Sequence, residues 1–462
     1  MSGADPGHTS LPADYAAALG YLAQFVDLER RGMGAAPLGL TRIRCLLARL
    51  DDPQRRYRSI LIAGTKGKGS TAAMLERALR AAGYHTGLYT QPHLHTIRER
   101  VQIDGAPVSP ADFAATLRAV RDAVEADRSR TSTTAYEVTT ALALQQFTRA
   151  KVDVAVLEVG LGGRLDATNV VDADISVLTS ISLDHVEILG PTVGAIAEEK
   201  ADIIKVGRPS ISAPQPAEAM AVIRRVAAER QSLLRVATED AARWITCGDR
   251  PELHTARGLL ADLRPALAGA HQRLNAAVAA TALDALAEHG TLDVPLEAVR
   301  EGIERVVWPG RFELLAGSPP IVLDGAHNVE SAIRLREALG EELGARRRIF
   351  ILGIAADKDV PGIVAELCAG DDRGLRPRVI ATRAGHPRAA DPSQIAELAA
   401  AAGAATSTVS NVLEAIASAR REAGVEDVIV VTGSLYTVAE AREVLGLAVH
   451  EAEPTFDPWA AR

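Results

Sequence analysis

The sequence predicts an α/β protein with two parallel-sheet domains, of which the second is the smaller. Short apolar runs typical of buried strands alternate with segments of helical apolar spacing along most of the chain. A Pro-Gly pair at 309–310 interrupts this alternation, which then restarts. The 462 residues also exceed the size of one ordinary domain. We therefore expect a first domain at residues 1–305, a second at 306–450 and a tail at 451–462.

The strongest single signal is a glycine-rich loop between a predicted strand and a predicted helix. Glycines let backbone N–H groups turn toward an anion, and a helix start adds a positive end. The loop departs from the usual G-x-x-x-x-G-K-[ST] pattern because Gly69, not Ser70, follows Lys68. A turn without a ligand is the alternative, but two lysines at a helix start repel each other unless an anion is present. The residues expected to bind phosphate are Gly64, Thr65, Lys66, Gly67, Lys68, Gly69 and Ser70.

The other predicted elements follow from apolar periodicity and from turn residues. Predicted strands cover residues 60–63, 88–90, 152–157, 175–179, 321–324, 349–352, 379–382 and 428–432. Predicted helices cover residues 15–26, 43–50, 72–82, 110–124, 136–150, 196–204, 271–286 and 331–339. A further helix is expected to begin at Asp391-Pro392, with Gln394 completing a capping box.

Polar groups follow four of the predicted strands. They are the glycine loop at Gly64, then Gln91, Glu158 and the pair Asp184-His185. Ligands of parallel α/β sheets bind at the carboxyl ends of strands, so these groups are expected to converge. An acid at such a strand end suits a position near Mg²⁺. From spacing alone, Glu158 as a solvated acid, His185 as a surface histidine and Lys200 as a solvated helix lysine remain the alternatives.

Composition limits the kind of partner. The hydrophobic fraction of 47% and charged fraction of 24% are those of a soluble globular protein, and the net charge of −8 argues against nucleic-acid binding. No apolar stretch approaches the length of a membrane span. The cysteines Cys45, Cys247 and Cys368 show no metal-ligand spacing. We expect a cytoplasmic protein with buried, reduced thiols and without nucleic-acid or membrane partners.

Several long motifs occur in a fixed order, and together they carry a resemblance to one family. The motifs are GTKGKGS at 64–70, LEVGLGGRLDATN at 157–169, LDHVEILG at 183–190, HQRLNAA at 271–277, PGRFE at 309–313 and DGAHN at 324–328. The chain resembles folylpolyglutamate synthase/dihydrofolate synthase of the Mur-ligase superfamily from Leu38 to Tyr436. The resemblance implies an N-terminal P-loop-containing parallel-sheet ATPase domain and a smaller C-terminal Rossmann-like α/β domain.

The resemblance also implies an activity. An ATP-dependent ligase would add L-glutamate to the carboxylate of dihydropteroate, of (tetrahydro)folyl-glutamate, or of both, through an acyl phosphate, giving ADP and phosphate. The cofactors implied are ATP and Mg²⁺ at two sites, and a monovalent cation is left open. The expected state is a monomer that binds only small molecules.

The resemblance further implies roles for single residues within the matching motifs. Catalytic roles fall to Lys68, Lys200, Arg311 and His327, and Lys200 matches the family lysine that is carbamylated. Further ATP contacts fall to Asn275, Arg311 and Asp324. Metal ligation falls to Gln91, Glu158, His185 and carbamylated Lys200. The pterin substrate would lie at Thr134, Leu165, Asp166 and Ala167.

Three positions depart from the family pattern. Gln91 stands where the family usually has a metal-binding Ser, and an amide oxygen can still serve a hard cation. Lys66 stands in place of the common Asn, and Val329 in place of the usual Pro.

Three rival functions were weighed against this assignment. Another Mur-type amide ligase with a different acceptor would normally carry an extra N-terminal domain, for which the residues before Ser59 are too few. A nucleotide-switch GTPase would need an N-K-x-D motif, which does not occur. A simple kinase would stop at phosphoryl transfer, and its ADP release would not require an added amino acid.

Overall fold

The computed structural model describes residues 12–25, 39–126, 133–238, 241–247, 250–369 and 376–448. The strands are β1 Arg58–Ala63, β2 Thr86–Tyr89, β3 Val101–Ile103, β4 Ala106–Pro107, β5 Val154–Glu158, β6 Ile175–Leu178, β7 Ser210–Ser212, β8 Leu234–Val236, β9 Arg243–Cys247, β10 Arg250–Thr255, β11 Gly258–Leu260, β12 Glu313–Leu315, β13 Ile321–Leu323, β14 Arg347–Leu352, β15 Arg378–Ala381, β16 Ala405–Thr408 and β17 Asp427–Thr432. The helices are α1 Ala13–Leu22, α2 Thr41–Arg49, α3 Lys68–Ala81, α4 Pro110–Glu125, α5 Ala135–Ala150, α6 Val186–Leu189, α7 Val193–Ala201, α8 Ala217–Glu229, α9 Ala270–Glu288, α10 Leu296–Glu304, α11 Val329–Leu343, α12 Val360–Cys368, α13 Pro392–Ala401, α14 Val412–Glu422 and α15 Leu435–Val444.

The larger sheet has eight strands in the order β4-β3-β2-β5-β1-β6-β7-β8. Strands β2, β5, β1, β6, β7 and β8 are parallel, and β3 and β4 add an antiparallel edge. Alternate residues of β1 face two separate apolar layers, with Leu61 in one core and Ile60 and Ile62 in the other. Because β1 lies between β5 and β6, the loop that follows β1 is adjacent to the ends of both neighbours.

A second parallel sheet forms after residue 312, in the order β12-β13-β17-β14-β15-β16. Only β12 is antiparallel, and β17 is buried along its whole length between β13 and β14. Helices cover both faces and bury Phe350 and Leu352 on one side and Ile349 and Ile351 on the other. This architecture confirms the predicted α/β class with parallel sheets.

The predicted helices and strands all lie on elements of the predicted type, and their ends differ by a few residues. The start of the first helix is found at Ala13, whereas Val26 lies outside the described residues. Helix α7 ends at Ala201, before the predicted end, and α11 begins two residues earlier than predicted. Asp391 accepts a hydrogen bond from the N–H of Ser393, so the expected capping box with Gln394 is not formed.

Sequence patterns missed the short strands. The three-stranded antiparallel sheet β11-β10-β9 was not predicted, nor were the short strands at or next to the edges of the two larger sheets, β3, β4, β7, β8, β12 and β16. These strands have two to six residues, and several mix polar and apolar side chains on both faces. Such segments depend on their partners for stability and leave little periodicity in the sequence.

The prediction of buried thiols is wrong for Cys45 and correct for Cys368. Cys45 lies on the outer face of α2, whose inner face buries Ile43, Leu46 and Leu47. The side chain of Cys247 lies outside the described residues. Within the described ranges, no helix combines the length and the apolarity that crossing a bilayer requires.

Candidate active site

A large cleft runs along the carboxyl ends of the strands in both parallel sheets. Its volume of about 1900 Å³ exceeds that of a pocket for one small ligand, so it has room for more than one substrate. Most of the residues singled out in the sequence line it: Thr65, Lys66, Gly67, Lys68, Gly69, Ser70, Gln91, Thr134, Glu158, Leu165, Asp166, Ala167, His185, Asn275, Arg311, Asp324 and His327. The two others, Gly64 at the start of the glycine loop and Lys200, do not line the cleft and contact each other.

The glycine loop is anchored to the neighbouring strand end and leaves a helix start free for an anion. The N–H groups of Thr65 and Lys66 donate to the carbonyl oxygen of Ser180, at 2.8 and 3.2 Å. Helix α3 then begins at Lys68, and its N-cap residue Gly67 offers no side-chain cap. Gly67 has φ +89° and packs against Asn275, so both its conformation and its surroundings require a glycine. The first N–H groups of α3 therefore face the cleft without an internal acceptor.

Lys68 is folded back onto this loop. Its Nζ donates to the carbonyl oxygens of Gly64 and Thr65, at 3.1 and 3.4 Å. Burial lowers the pKa of Lys68, and the nearby Glu158 carboxylate opposes this shift. The second loop lysine, Lys66, is held 3.4 Å from Asp184. The loop therefore concentrates positive charge at the start of a helix.

Glu158, Gln91 and His185 supply groups that fit a hard divalent cation. Burial raises the pKa of Glu158, while Lys68 lowers it, and the carboxylate accepts the N–H of Gln91 at 3.2 Å. The Nε2 atom of Gln91 is buried, and the Gln91 side chain also contacts the hydroxyl of Tyr136. Burial lowers the pKa of His185, which favours the neutral imidazole, the form that ligates a metal.

Those side chains would leave part of a cation's coordination sphere to other ligands. No group of three or more His, Cys, Asp or Glu residues suited to a metal occurs in the part of the chain that the structure describes. Mg²⁺ commonly keeps several waters and binds phosphate oxygens in addition to one or two carboxylates. The donor set therefore fits Mg²⁺ held jointly by the protein and a nucleotide.

Lys200 is buried, so the alternative of a solvated helix lysine is wrong. Only 5% of its surface is exposed, and its Nζ donates to the carbonyl oxygen of Gly64 at 3.0 Å. Burial and the charge of Lys68 lower the pKa of Lys200 to about 7. A large fraction of this amine is neutral near neutral pH, which is the form that reacts with carbon dioxide.

Helix α9 contributes an amide pair that contacts the loop. Asn275 donates from Nδ2 to Oε1 of Gln272 at 2.9 Å, and Gln272 donates from Nε2 to Oγ of Ser70 at 3.2 Å. Both amides are buried. Asn275 was predicted from the sequence, whereas Gln272 was not. Their i, i+3 spacing, which places them on one helix face, was the available signal.

The segment that connects the two parallel sheets reaches the same loop. A Cβ on Gly69 would lie 3.3 Å from Trp308, so the indole packs directly against the loop. Asp324 accepts the N–H groups of Phe312 and Ala326, at 2.8 and 2.9 Å. Burial raises the pKa of Asp324, and the Arg311 guanidinium opposes this shift.

His327 is held as a neutral imidazole. Its Nδ1 lies 2.8 Å from the carbonyl oxygen of Gly325, which can only accept, so Nδ1 carries the proton and Nε2 keeps its lone pair. Burial lowers the pKa of His327 to about 4. The ring lines the cleft and can accept a hydrogen bond from a ligand there.

The predicted acceptor residues lie on a helix start and on the loop after β5. Thr134 caps helix α5 and forms a capping box with Glu137, which also pairs with Arg42 at 3.1 Å. Leu165, Asp166 and Ala167 line the cleft beside it. The structure therefore brings the predicted phosphate, metal and acceptor residues other than Gly64 and Lys200 to the wall of one cleft.

Comparisons with known proteins agree with this arrangement. Residues 62–283 match the Mur ligase middle domain, and residues 310–435 match the Mur ligase, glutamate ligase domain. The dihydrofolate synthase/folylpolyglutamate synthase of Bacillus subtilis is 34% identical over 424 residues, which are 90% of this chain and 96% of the relative. The enzyme of the same name from Mycobacterium tuberculosis is 37% identical over 445 residues, covering 88% and 90% of the two chains. The chain belongs to the dihydrofolate synthase/folylpolyglutamate synthase family.

Solved structures of similar proteins also share the fold of this chain. FolC of Escherichia coli in complex with DHPP and ADP superposes with a TM-score of 0.81 at 33% identity, covering 95% of this chain and 99% of that chain. A bifunctional folylpolyglutamate synthase/dihydrofolate synthase with Mn, AMPPNP and L-glutamate bound gives a TM-score of 0.78 at 32% identity, covering 95% and 100%. The resemblance stated from the sequence motifs is thereby confirmed.

Proposed function

We propose that this chain is an ATP-dependent amide-bond ligase that adds L-glutamate to the carboxylate of dihydropteroate, of (tetrahydro)folyl-glutamate, or of both. One observation carries the proposal: the uncapped start of α3, Lys68 and Glu158 share one cleft with the acceptor loop around Asp166. The solved relatives that hold DHPP with ADP, or AMPPNP with L-glutamate, support the same substrates.

The residues of the cleft suit a reaction in which ATP phosphorylates the acceptor carboxylate and the glutamate amine then displaces phosphate. The N–H groups of α3 and Lys68 would bind the phosphates and neutralise charge as it builds. A divalent cation on Glu158 and His185, with Gln91 beside them, would supply further positive charge at the phosphate oxygens. Arg311 would orient the transferred group from the connecting segment, and closure would exclude water that could hydrolyse the acyl phosphate.

Asn275 and Asp324 would contact ATP, and Thr134, Leu165 and Ala167 would contact the pterin. His327, neutral and with Nε2 free to accept, would lie near the reacting groups. We place the protein in the cytoplasm as a monomer without nucleic-acid or membrane partners. Two metal sites and a monovalent cation site belong to the same proposal. The alternative is a Mur-type amide ligase with a different acceptor.

Lys200 is proposed to carry a carbamate. Its lowered pKa of about 7 and its burial favour reaction of the neutral amine with carbon dioxide. The carbamate would place an anionic oxygen close to the Gly64 carbonyl and so serve a second cation. Nuclear magnetic resonance with isotopically labelled bicarbonate should give a carbamate carbon signal in the native protein and none in Lys200→Met. The same spectrum for both proteins would remove this role.

We further propose that residues 1–305 and 306–450 act as two domains that close about the segment from Trp308 to Arg311. Two contacts support this segment as the hinge. The Trp308 indole packs against Gly69, and the Arg311 guanidinium lies close enough to Asp324 to affect its pKa. Small-angle scattering should show compaction when a non-hydrolysable ATP analogue and folate are both added. An unchanged radius of gyration would argue against closure.

The deciding experiment is ATP-dependent incorporation of labelled glutamate, with dihydropteroate and tetrahydrofolate offered separately in the presence of Mg²⁺ and bicarbonate. Incorporation with both acceptors would establish a bifunctional enzyme, and incorporation with one would name the activity. Folded protein that incorporates glutamate into neither acceptor would refute the folate assignment and leave the alternative acceptor class.

A further inference from the structure

The carboxylate of Asp166 is fully occupied by groups of the protein itself. Oδ1 accepts from the N–H and hydroxyl of Thr168, at 2.9 and 2.5 Å, and Oδ2 accepts from the N–H groups of Gly160 and Leu161, at 3.0 and 3.1 Å. The hydroxyl of Tyr136 lies 2.9 Å from Oδ1 and 3.1 Å from Oδ2. An ionised carboxylate offers about four lone-pair sites, and five donors already point at this one. Asp166 has no acceptor site left for an N–H of a bound molecule.

The Tyr136 hydroxyl joins two parts of the cleft wall. It donates to Asp166 and accepts the N–H of Gly160 at 3.2 Å. Tyr136 itself lies in the first turn of α5, two residues after the helix cap Thr134. The hydroxyl therefore ties the loop 160–168 to the helix start that carries Thr134.

The same contacts reach the phosphate side of the cleft. A Cβ on Gly160 would lie 2.8 Å from Nε2 of Gln91 and 2.9 Å from the hydroxyl of Tyr136, so the loop passes closely between the ends of these two side chains. The backbone N–H of Gln91 donates to Glu158. A displacement of Tyr136 would therefore disturb the acceptor loop and also the Gln91 side chain that lies across Gly160.

We infer that Tyr136 and Asp166 are positioning residues for the acceptor: they fix the loop 160–168 and hold Leu165 and Ala167 in place without contacting the acceptor through the Asp166 carboxylate. This inference rests on the proposed function, because it concerns the site where the pterin-bearing acceptor would bind. It changes the role of Asp166 from a direct ligand to the organiser of a loop. Direct contacts with the acceptor fall instead to the backbone and apolar groups that this loop presents.

The test uses Tyr136→Phe, which removes one hydroxyl and keeps the ring. The full-length variant should raise the KM for dihydropteroate or tetrahydrofolate by about five- to twentyfold, equivalent to about 1–2 kcal/mol, and leave the KM for ATP within about twofold. The matched control is Tyr57→Phe, because Tyr57 also donates a hydrogen bond to α5, at the Leu144 carbonyl, and lies away from the cleft. The control should leave both KM values unchanged.

A double-mutant cycle tests whether Tyr136 and Asp166 act on the acceptor site through each other. Asp166→Asn presents an amide N–H₂ to the surrounding donors and should also raise the acceptor KM. The double variant with Tyr136→Phe should raise the acceptor KM by much less than the two single effects combined in free energy. Equal acceptor KM in native protein and Tyr136→Phe, or a parallel loss in the ATP and acceptor constants, would overturn the inference. Additive effects of the two substitutions would do the same. Failure of the proposed function is a different result, since the native protein would then incorporate no glutamate at all.

Discussion

The side-chain amine of Lys200 donates a hydrogen bond to the carbonyl oxygen of Gly64 over 3.0 Å, at the start of the glycine loop rather than in solvent. This contact places a titratable group directly under the phosphate-binding backbone. Because Lys200 is buried, its charge state is coupled to the stability of the fold.

The stability of the protein should depend on pH through Lys200. Its folded pKa of about 7 lies below the ordinary value of 10.5, so the unfolded chain binds more protons between these pH values. Stability therefore rises with pH from about 7 toward 10.5, and below 7 the full cost of burying the charged amine is present. Without bicarbonate, urea unfolding should show native stability gaining about 2 kcal/mol relative to Lys200→Met between pH 7 and 9. Parallel pH profiles for the two proteins would contradict this.

Lys68 should carry much of the nucleotide affinity. Its Nζ is held at the Gly64 and Thr65 carbonyls, at the start of α3. Saturating ATP with Mg²⁺ should stabilise the native protein by about 2.7 kcal/mol at one hundred times Kd, and Lys68→Met should lose most of this increment. Lys205→Met is the matched control, because Lys205 is also partly buried and burial lowers its pKa to about 8, but its Nζ donates to the carbonyl oxygen of Asn169 outside the cleft. If Lys205→Met lost the stabilisation by ATP to the same extent, the role of Lys68 in nucleotide binding would be refuted.

His327 should stay neutral well below pH 6. Its pKa is lowered to about 4 from 6.5, so the unfolded chain binds more protons between these values and stability falls as pH decreases from about 6.5 to 4. Nuclear magnetic resonance titration should show a ring protonated at Nδ1 with a midpoint near 4, assigned by its absence in His327→Asn. Asn keeps an N–H donor near the Gly325 carbonyl. A midpoint near 6.5 would show that the ring is solvated.

Gly163 should tolerate no side chain. A Cβ there would lie 2.5 Å from the carbonyl oxygen of Glu199 and 3.0 Å from Cα of Lys200, and neither backbone atom can move freely. Gly163→Ala should lower the free energy of unfolding by about 1–3 kcal/mol and reduce activity, because it displaces α7 and Lys200 with it. Gly20→Ala, in open space on α1, should instead leave stability equal or up to about 1 kcal/mol higher. Denaturant unfolding with activity measurement checks both.

The sequence by itself determined the fold class, the main parallel strands, many of the helices, and the family. Helices α8, α12, α14 and α15 were not predicted. Buried parallel strands read as apolar runs, and GTKGKGS and LEVGLGGRLDATN are local patterns that need no partner to be recognised. The antiparallel strands β9, β10 and β11 were not predictable in the same way, because short strands of mixed polarity are defined by the strands they pair with.

Only the tertiary structure decided what single side chains do at the site. Lys200 meets Gly64 across 136 residues of sequence, and Gln272 meets Ser70 across 202. The spacing of residues in the sequence indicated a solvent-exposed Lys200, and it indicated no role for Gln272 or Tyr136. Burial, desolvation and hydrogen-bond saturation depend on which elements the sheet order places side by side, and that information is not local to any stretch of the chain.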